Sequence, residues 1–239
     1  MDQLEYSIAS TTYGPSVGYW RRPAYAERGA KTMTLGSHSR PRLTRHSRRA
    51  HIVPMALHVL QGPFTVESYQ RLAELGVLGA DDRVELIAGQ VVEMTPIGDR
   101  HASCVRRLHD LLARDALEVA IIDVQNPVVL GVRDAPQPDV AVLQRRADRY
   151  RHHPHARDIL LVIEVADTTL AYDRDVKIPL YARAGIPEAW LVDLTGERIA
   201  VHREPQAGTY AHVRSADPGD VLAPLHLPGV TLAVADILG

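Results

Sequence analysis

The run Asp158-Ile-Leu-Leu-Val-Ile-Glu-Val165 constrains this chain more than any other stretch. Between Asp158 and Glu164 every side chain is aliphatic, with no alternation of apolar and polar positions. A short continuous apolar run of this kind reads as a strand covered on both faces, which requires layers above and below a sheet. Its one internal carboxylate, Glu164, is then the anomaly. Acidic side chains are seldom fully buried, and burying one costs several kcal/mol, on the order of 2 to 5, unless it is paired or metal-bound. The plainer reading places Glu164 at the exposed end of the strand.

Helix and strand signals surround that run. Thr65 can cap a helix through Tyr69, Leu72 and Leu75, with Gly76 as its stop. Val84–Ile87 and Val91–Met94 flank Ala88-Gly89-Gln90 and predict a hairpin. His101–Leu117 has helical spacing through Val105, Leu108, Leu111 and Leu112, with Arg106, Arg107, Asp110 and Arg114 on the polar face. Strand-like runs follow at Val119–Val124 and Val128–Val132. Pro136 and Pro138 punctuate the entry to Val140–Leu143, and Arg145–Arg157 is a polar loop rich in Arg and His. A helix is expected from Thr168 or Thr169 to about Ala184, ended by Gly185 and Pro187 and kinked or split by Pro179. Ala189–Val192 and Ile199–His202 predict strands around a Thr195-Gly196 turn, and Tyr210–Val213 and Val230–Val234 add short ones. The class is α/β, or α+β: a mixed central sheet flanked by helices.

Residues 1–57 are a different kind of polypeptide, rich in Ser, Thr, Gly, Pro and Arg and without a sustained period. The expectation is a basic, disordered N-terminal extension, with residues 58–239 as the folded domain and Met55 opening directly onto it. Ser37–Arg49 also has the composition of a nucleic-acid-binding arm. Residues 1–54 carry nine Arg and Lys against three Asp and Glu, a net +6, which leaves −8 for the remainder of a chain whose total is −2. An acidic body does not grip nucleic acid by bulk charge, although a site in which metal ions supply positive charge is compatible with it. One cysteine, Cys104, excludes an intramolecular disulfide framework and fits a reducing compartment. No apolar run is long enough to span a membrane and no secretory signal is evident, so the expected location is cytoplasmic.

The chemistry-bearing residues lie between Gln137 and Lys177. Asp139 heads one strand and Glu164 lies late in the next, so the two can converge at one sheet edge, with the Val165 carbonyl close by. Phosphodiester hydrolysis at neutral pH needs an activated water and relief of charge on the phosphate; hard divalent ions held by a few oxygen ligands supply both. Lys177, four residues beyond Asp173 on the expected helix, is the candidate for orienting water or stabilising developing charge. Each residue also has a structural reading: Asp139 as a turn cap, Asp173 and Lys177 as a surface ion pair, Glu85 on a solvent face of its strand. His152, His153 and His155 fit a solvated loop, and Tyr181 and Trp190 fit core packing. The same carboxylates would serve an RNA or a small phosphate ester.

Several linked pieces carry a family resemblance. They are Arg83-Val84-Glu85-Leu86-Ile87 with Gly89, then Val92-Glu93-Met94-Thr95-Pro96 with His101, and Pro138-Asp139-Val140-Ala141-Val142. Ile163-Glu164-Val165, Tyr172-Asp173, Lys177 with Tyr181, and the run from Arg183 to Asp193 complete the set. From about Phe64 to Leu238 the chain resembles the Uma-two family, a branch of the PD-(D/E)-x-K restriction-endonuclease-like superfamily. The resemblance implies a restriction-endonuclease-like core and a metal-dependent endonuclease acting on DNA. It implies Asp139 and Glu164 as ligands of Mg²⁺ or Mn²⁺, Glu85 as an accessory acid and Lys177 as the catalytic lysine. Asp173 is an accessory candidate, and His101 matches a family position open to three readings: an accessory ligand, a DNA contact or a polar residue at a helix start. Ala166 stands where the superfamily usually has its lysine, and the resemblance supplies Lys177 from the next helix instead. A catalytically silent nucleic-acid- or protein-binding module on the same scaffold is the alternative. A homodimer would let two sites address both strands of a duplex.

Overall fold

A capping box opens the domain. In the computed structural model, which describes residues 63–79 and 81–239, Ser68 N–H donates to the Thr65 hydroxyl at 3.2 Å and Thr65 N–H donates to the Ser68 hydroxyl at 2.9 Å. Helix α1 (Val66–Glu74) starts there and ends before Gly76, whose φ of +70° suits the left-handed position after a helix. The basic segment and the arm proposed within it lie outside the described residues.

Strands β1 (Val84–Ile87) and β2 (Gln90–Glu93) form the expected hairpin. Its two turn residues, Ala88 and Gly89, have φ of 51° and 77°, the two-residue geometry that matches strand twist. Glycine is required at the second position for space as well, since a Cβ there would lie 3.1 Å from the Phe64 carbonyl oxygen.

The main sheet has six strands in the order β3 (Ala120–Val124), β4 (Val140–Gln144), β5 (Ile159–Ala166), β6 (Glu188–Asp193), β7 (Arg198–Gln206) and β8 (Thr209–Ala216). Every neighbouring pair is antiparallel except β5 with β6. A parallel pair needs a crossover, and the helical segment between those strands provides it. That segment runs as α3 (Leu170–Tyr172), a π-helical turn (Asp173–Lys177) and α4 (Ile178–Arg183).

β5 is covered on both faces, as its composition predicts. Leu161, Ile163 and Val165 pack with Cys104, Leu108 and Leu112 of helix α2 (Asp99–Ala116). Val162 and Ala166 point the other way and pack with Ile178, Tyr181 and Ala182. Each large aliphatic side chain buried this way contributes about 1.5–3 kcal/mol relative to exposure. Trp190 and Tyr181 are fully buried, in line with their apolar surroundings. Glu188 is also fully buried, where the Arg203 guanidinium (2.7 and 2.9 Å), Trp190 Nε1–H (2.8 Å) and Leu225 N–H (2.6 Å) satisfy it.

Two local expectations differ from the structure. Val128–Val132 makes only an isolated bridge, Val129 to His155, because its N–H groups donate to the loop carbonyls of Pro136, Pro154 and Asp134. Val230–Val234 contributes only strand β10 (Leu232–Ala233), paired with β9 (Val221–Leu222), before helix α5 (Val234–Leu238) begins. Arg107 of α2 donates to the Ile237 and Leu238 carbonyls, which fixes that last turn against α2. At Pro179, where the sequence predicts a kink or a split, the segment stays helical from Leu170 to Arg183 and carries a π-helical turn just before the proline. Ile178 N–H donates to Asp173 O, a wider-than-α bond, and Pro179 then sits in the first turn of α4, where its missing N–H leaves nothing unpaired. Among the described residues no helix is long and apolar enough to cross a membrane.

Candidate active site

The pairing of β4 with β5 brings the two central carboxylates together. The ladder sets Val140 opposite Ile163 and Ala141 opposite Val162. Continued by one residue, it sets Asp139 opposite Glu164. Both then fall on the face that carries Ala141 and Val162, the face covered by α4. Sheet register therefore converts two acids 25 positions apart in the chain into neighbours.

Asp139 is held from three sides. His101 Nε2, from the first turn of α2, lies 3.0 Å from Oδ2; Val165 N–H donates to the same oxygen at 2.9 Å; Gln125 Nε2 donates to Oδ1 at 3.1 Å. Burial alone would raise this carboxyl. The His101 hydrogen bond and charge, with help from Lys177 and Val165 N–H, outweigh it and hold Asp139 below the usual carboxylate range.

Glu164 is 2% exposed. Its Oε1 receives the Tyr181 hydroxyl and lies 3.0 Å from Lys177 Nζ. Burial pushes its carboxyl up to about 8; Lys177 opposes the rise, and the charges of Asp139 and Asp173 reinforce it. The exposed-end reading of Glu164 thus fails, since helices cover β5 to its last residue.

Lys177 is buried as well, and it reaches Glu164 from the π-helical turn. Its Nζ also lies 3.4 Å from Glu85 Oε2 and donates to the Gln137 carbonyl at 3.3 Å. Burial would lower its pKa, but Glu164, Glu85, Asp139 and Asp173 together raise it, so the ammonium stays charged. Ala166 packs beneath α4, and the lysine comes from the helix above it. The surface-pair reading of Asp173 and Lys177 fails, because both are buried and Asp173 instead accepts from the Thr169 hydroxyl at 2.6 Å. Burial raises the Asp173 carboxyl against that hydrogen bond.

Glu85 is on the inner side of β1, not the solvent side. Gln137 N–H donates to its Oε2 at 3.2 Å and the Tyr172 hydroxyl donates to its Oε1 at 3.1 Å. All six residues singled out in the sequence, Glu85, His101, Asp139, Glu164, Asp173 and Lys177, line one cleft of about 550 Å³. Arg83, Met94, Pro96, Ile97, Thr168 and Tyr172 also line it. Among the described residues no three His, Cys, Asp or Glu side chains form a ready-made cation cage.

Sequence reasoning missed several contributors. Tyr181 reads as core, yet its hydroxyl is spent on Glu164. Gln125 and Gln137 carry no motif of their own; only strand pairing reveals what they touch. The histidine-rich loop is not among the cleft's lining residues, and Cys104 lies in the core, where burial pushes its thiol up to about 11.

A crystal structure described as a putative nuclease belonging to DUF820, from Anabaena variabilis, superposes on this chain with a TM-score of 0.61 and 16% identity. The match covers 74% of this chain and 98% of that one, and at this identity it establishes a shared fold. Among curated proteins none matches the chain. The family model described as "Putative restriction endonuclease" matches residues 66–235, from the first turn of α1 into α5, with every cleft residue named above inside the span. On that match the chain belongs to the Uma2 family.

Proposed function

We propose that this protein is a divalent-metal-dependent endonuclease that hydrolyses DNA phosphodiester bonds. One observation carries the reading: four buried carboxylates, Glu85, Asp139, Glu164 and Asp173, surround a single buried ammonium, Lys177, in a cleft. A stable core needs no such excess of buried negative charge, and removing charges from water costs several kcal/mol, on the order of 2 to 5 each. A bound cation offsets that cost.

The donor set suits Mg²⁺ or Mn²⁺. Asp139 and Glu164 would hold the ion with the Val165 carbonyl, all oxygen donors of the kind hard cations take. Asp139 is already ionised by its donors, and ligands must be deprotonated to bind. The N–H and C=O of one strand residue point to the same side, so the Val165 carbonyl shares the side of the N–H that meets Asp139. Such an ion would supply a bound water of lowered pKa and offset charge on the phosphate. Lys177, kept charged by its acidic neighbours, orients the attacking water and stabilises the negative charge that builds on the oxygens of the pentacovalent phosphate. Glu85 anchors Lys177, Tyr181 anchors Glu164, and His101 anchors Asp139. A DNA substrate and a buried free thiol fit a cytoplasmic setting, and a homodimer would set one cleft on each strand of a duplex.

The test uses the full chain on supercoiled plasmid with Mg²⁺ or Mn²⁺, alongside Asp139→Asn and Glu164→Gln. Both variants are expected to lose nicking by about 100-fold or more with unchanged circular dichroism. Equal nicking by all three proteins would overturn the assignment. No nicking by the wild type with either ion would favour a catalytically silent binding module.

A further inference from the structure

Gln125 has the backbone of a residue under constraint. Its φ is +53°, in the left-handed region that long side chains seldom occupy. Among the described residues, the other non-glycine cases are Ala88, Arg149, Tyr150, Glu197, Glu204 and Ala207, none of which lines the cleft or touches a carboxylate there. Gln125 is different. The β3–β4 ladder ends with Val124 opposite Val140, and one further step sets Gln125 opposite Asp139. Its N–H donates to the Asp139 carbonyl at 3.2 Å, and its side-chain Nε2 donates to Asp139 Oδ1 at 3.1 Å. One residue therefore grips Asp139 by main chain and side chain together, at the point where the chain turns out of the sheet.

Strained backbone persists where surrounding contacts over-determine it, and such positions cluster at functional sites. We infer that Gln125 is a positioning residue for Asp139, an inference that rests on the nuclease reading above. Gln125 does not line the cleft; it touches Asp139 from behind. With Oδ2 occupied by His101 and Val165 N–H, the Gln125 amide is the protein contact that fixes Oδ1 and hence the plane of the carboxylate. Outer contacts of this kind orient a ligand toward its ion, and their loss typically weakens metal affinity by about 10- to 100-fold.

Two substitutions separate this role from a structural one. Gln125→Gly relieves the left-handed backbone and removes the amide. Gln125→Met keeps the length and the backbone demand and removes only the donor. Each full-length variant is compared with wild type for Tm, for Mn²⁺ affinity by titration calorimetry, and for plasmid nicking. Gln125→Gly is expected to hold or raise Tm, because glycine adopts this φ without strain. Both variants are expected to bind Mn²⁺ about tenfold more weakly and to nick correspondingly more slowly. Wild-type Mn²⁺ affinity in either folded variant would overturn the positioning role while leaving the nuclease reading intact. A wild type that neither binds Mn²⁺ nor nicks would overturn both.

Discussion

Glu164 combines two demands that conflict. It is buried at the end of a central strand, and it faces an ammonium 3.0 Å away while three other buried carboxylates stand in the same cleft. Its carboxyl, raised from an ordinary 4.5 to about 8, holds a proton in the folded state that the unfolded chain releases earlier. A raised folded pKa gives stability that is fully present below the unfolded value and is lost as pH rises through the folded value. The window for Glu164 thus runs from about 4.5 to about 8, with an effect on the order of a few kcal/mol. Asp139 has the opposite sign: depressed when folded, it contributes stability above its ordinary value and loses it as pH falls through the folded one. Glu164→Gln, neutral at every pH, should therefore gain stability relative to wild type in chelator at about pH 9 and show little gain near pH 5. Urea unfolding at the two pH values checks this. An equal difference at both would mean that Lys177 keeps Glu164 ionised throughout.

The helical segment between β5 and β6 decides whether the lysine reaches the acids. In a regular α-helix Asp173, Lys177 and Tyr181 would drift around the axis in steps of four residues. The π-helical turn at Asp173–Lys177 widens the spiral there, and single wide turns of this kind recur at functional sites. Asp173 and Lys177 are both buried as a result, while Arg174 and Asp175 pair with each other in solvent, each side chain 58% exposed. Deleting Asp175 should return the turn to α geometry. Packing of Ile178, Tyr181 and Ala182 would hold the downstream half in place, so Tyr172 and Asp173 would rotate out of the cleft. The expected result is a folded protein destabilised by about 1–3 kcal/mol with nicking reduced about 100-fold. Retained nicking would show that the wide turn is not needed to aim these side chains.

At the scale of the molecule, residues 55–239 sum to −8, and the cleft concentrates part of that charge. Such a body meets a polyanion only where positive charge is supplied locally. The sheet provides the scaffold: register sets Asp139 and Glu164 opposite each other, the hairpin β1–β2 delivers Glu85, and the crossover delivers Lys177. An ion bound only to this folded arrangement stabilises it by mass action, about 2.7 kcal/mol at a hundredfold excess over Kd. For a domain of this size that is a rise in Tm of about 5 to 10 °C. Thermal unfolding with and without Mn²⁺ reads it directly, and Asp139→Asn should abolish the rise. No shift in the wild type would end the case for metal dependence.

Much of this was legible in the chain itself, for a physical reason. The unbroken aliphatic run before Glu164 demanded cover on both faces, so a helix-flanked sheet followed from composition alone. Thr65 and Gly76 marked a helix by cap chemistry, and Ala88-Gly89 marked a hairpin by turn chemistry; these are local effects that neighbouring residues settle. The six cleft residues were legible as residue types at suggestive positions. Their convergence was not, because it depends on which residues strand pairing sets opposite each other. Gln125 and Tyr181 show the limit most clearly: a glutamine after a strand and a tyrosine on a helix face are ordinary in sequence. They acquire a part in the site only when register and the crossover bring their polar atoms to Asp139 and Glu164. The π-helical turn belongs with them, since Pro179 announced a break but only packing against β5 fixed where the lysine points.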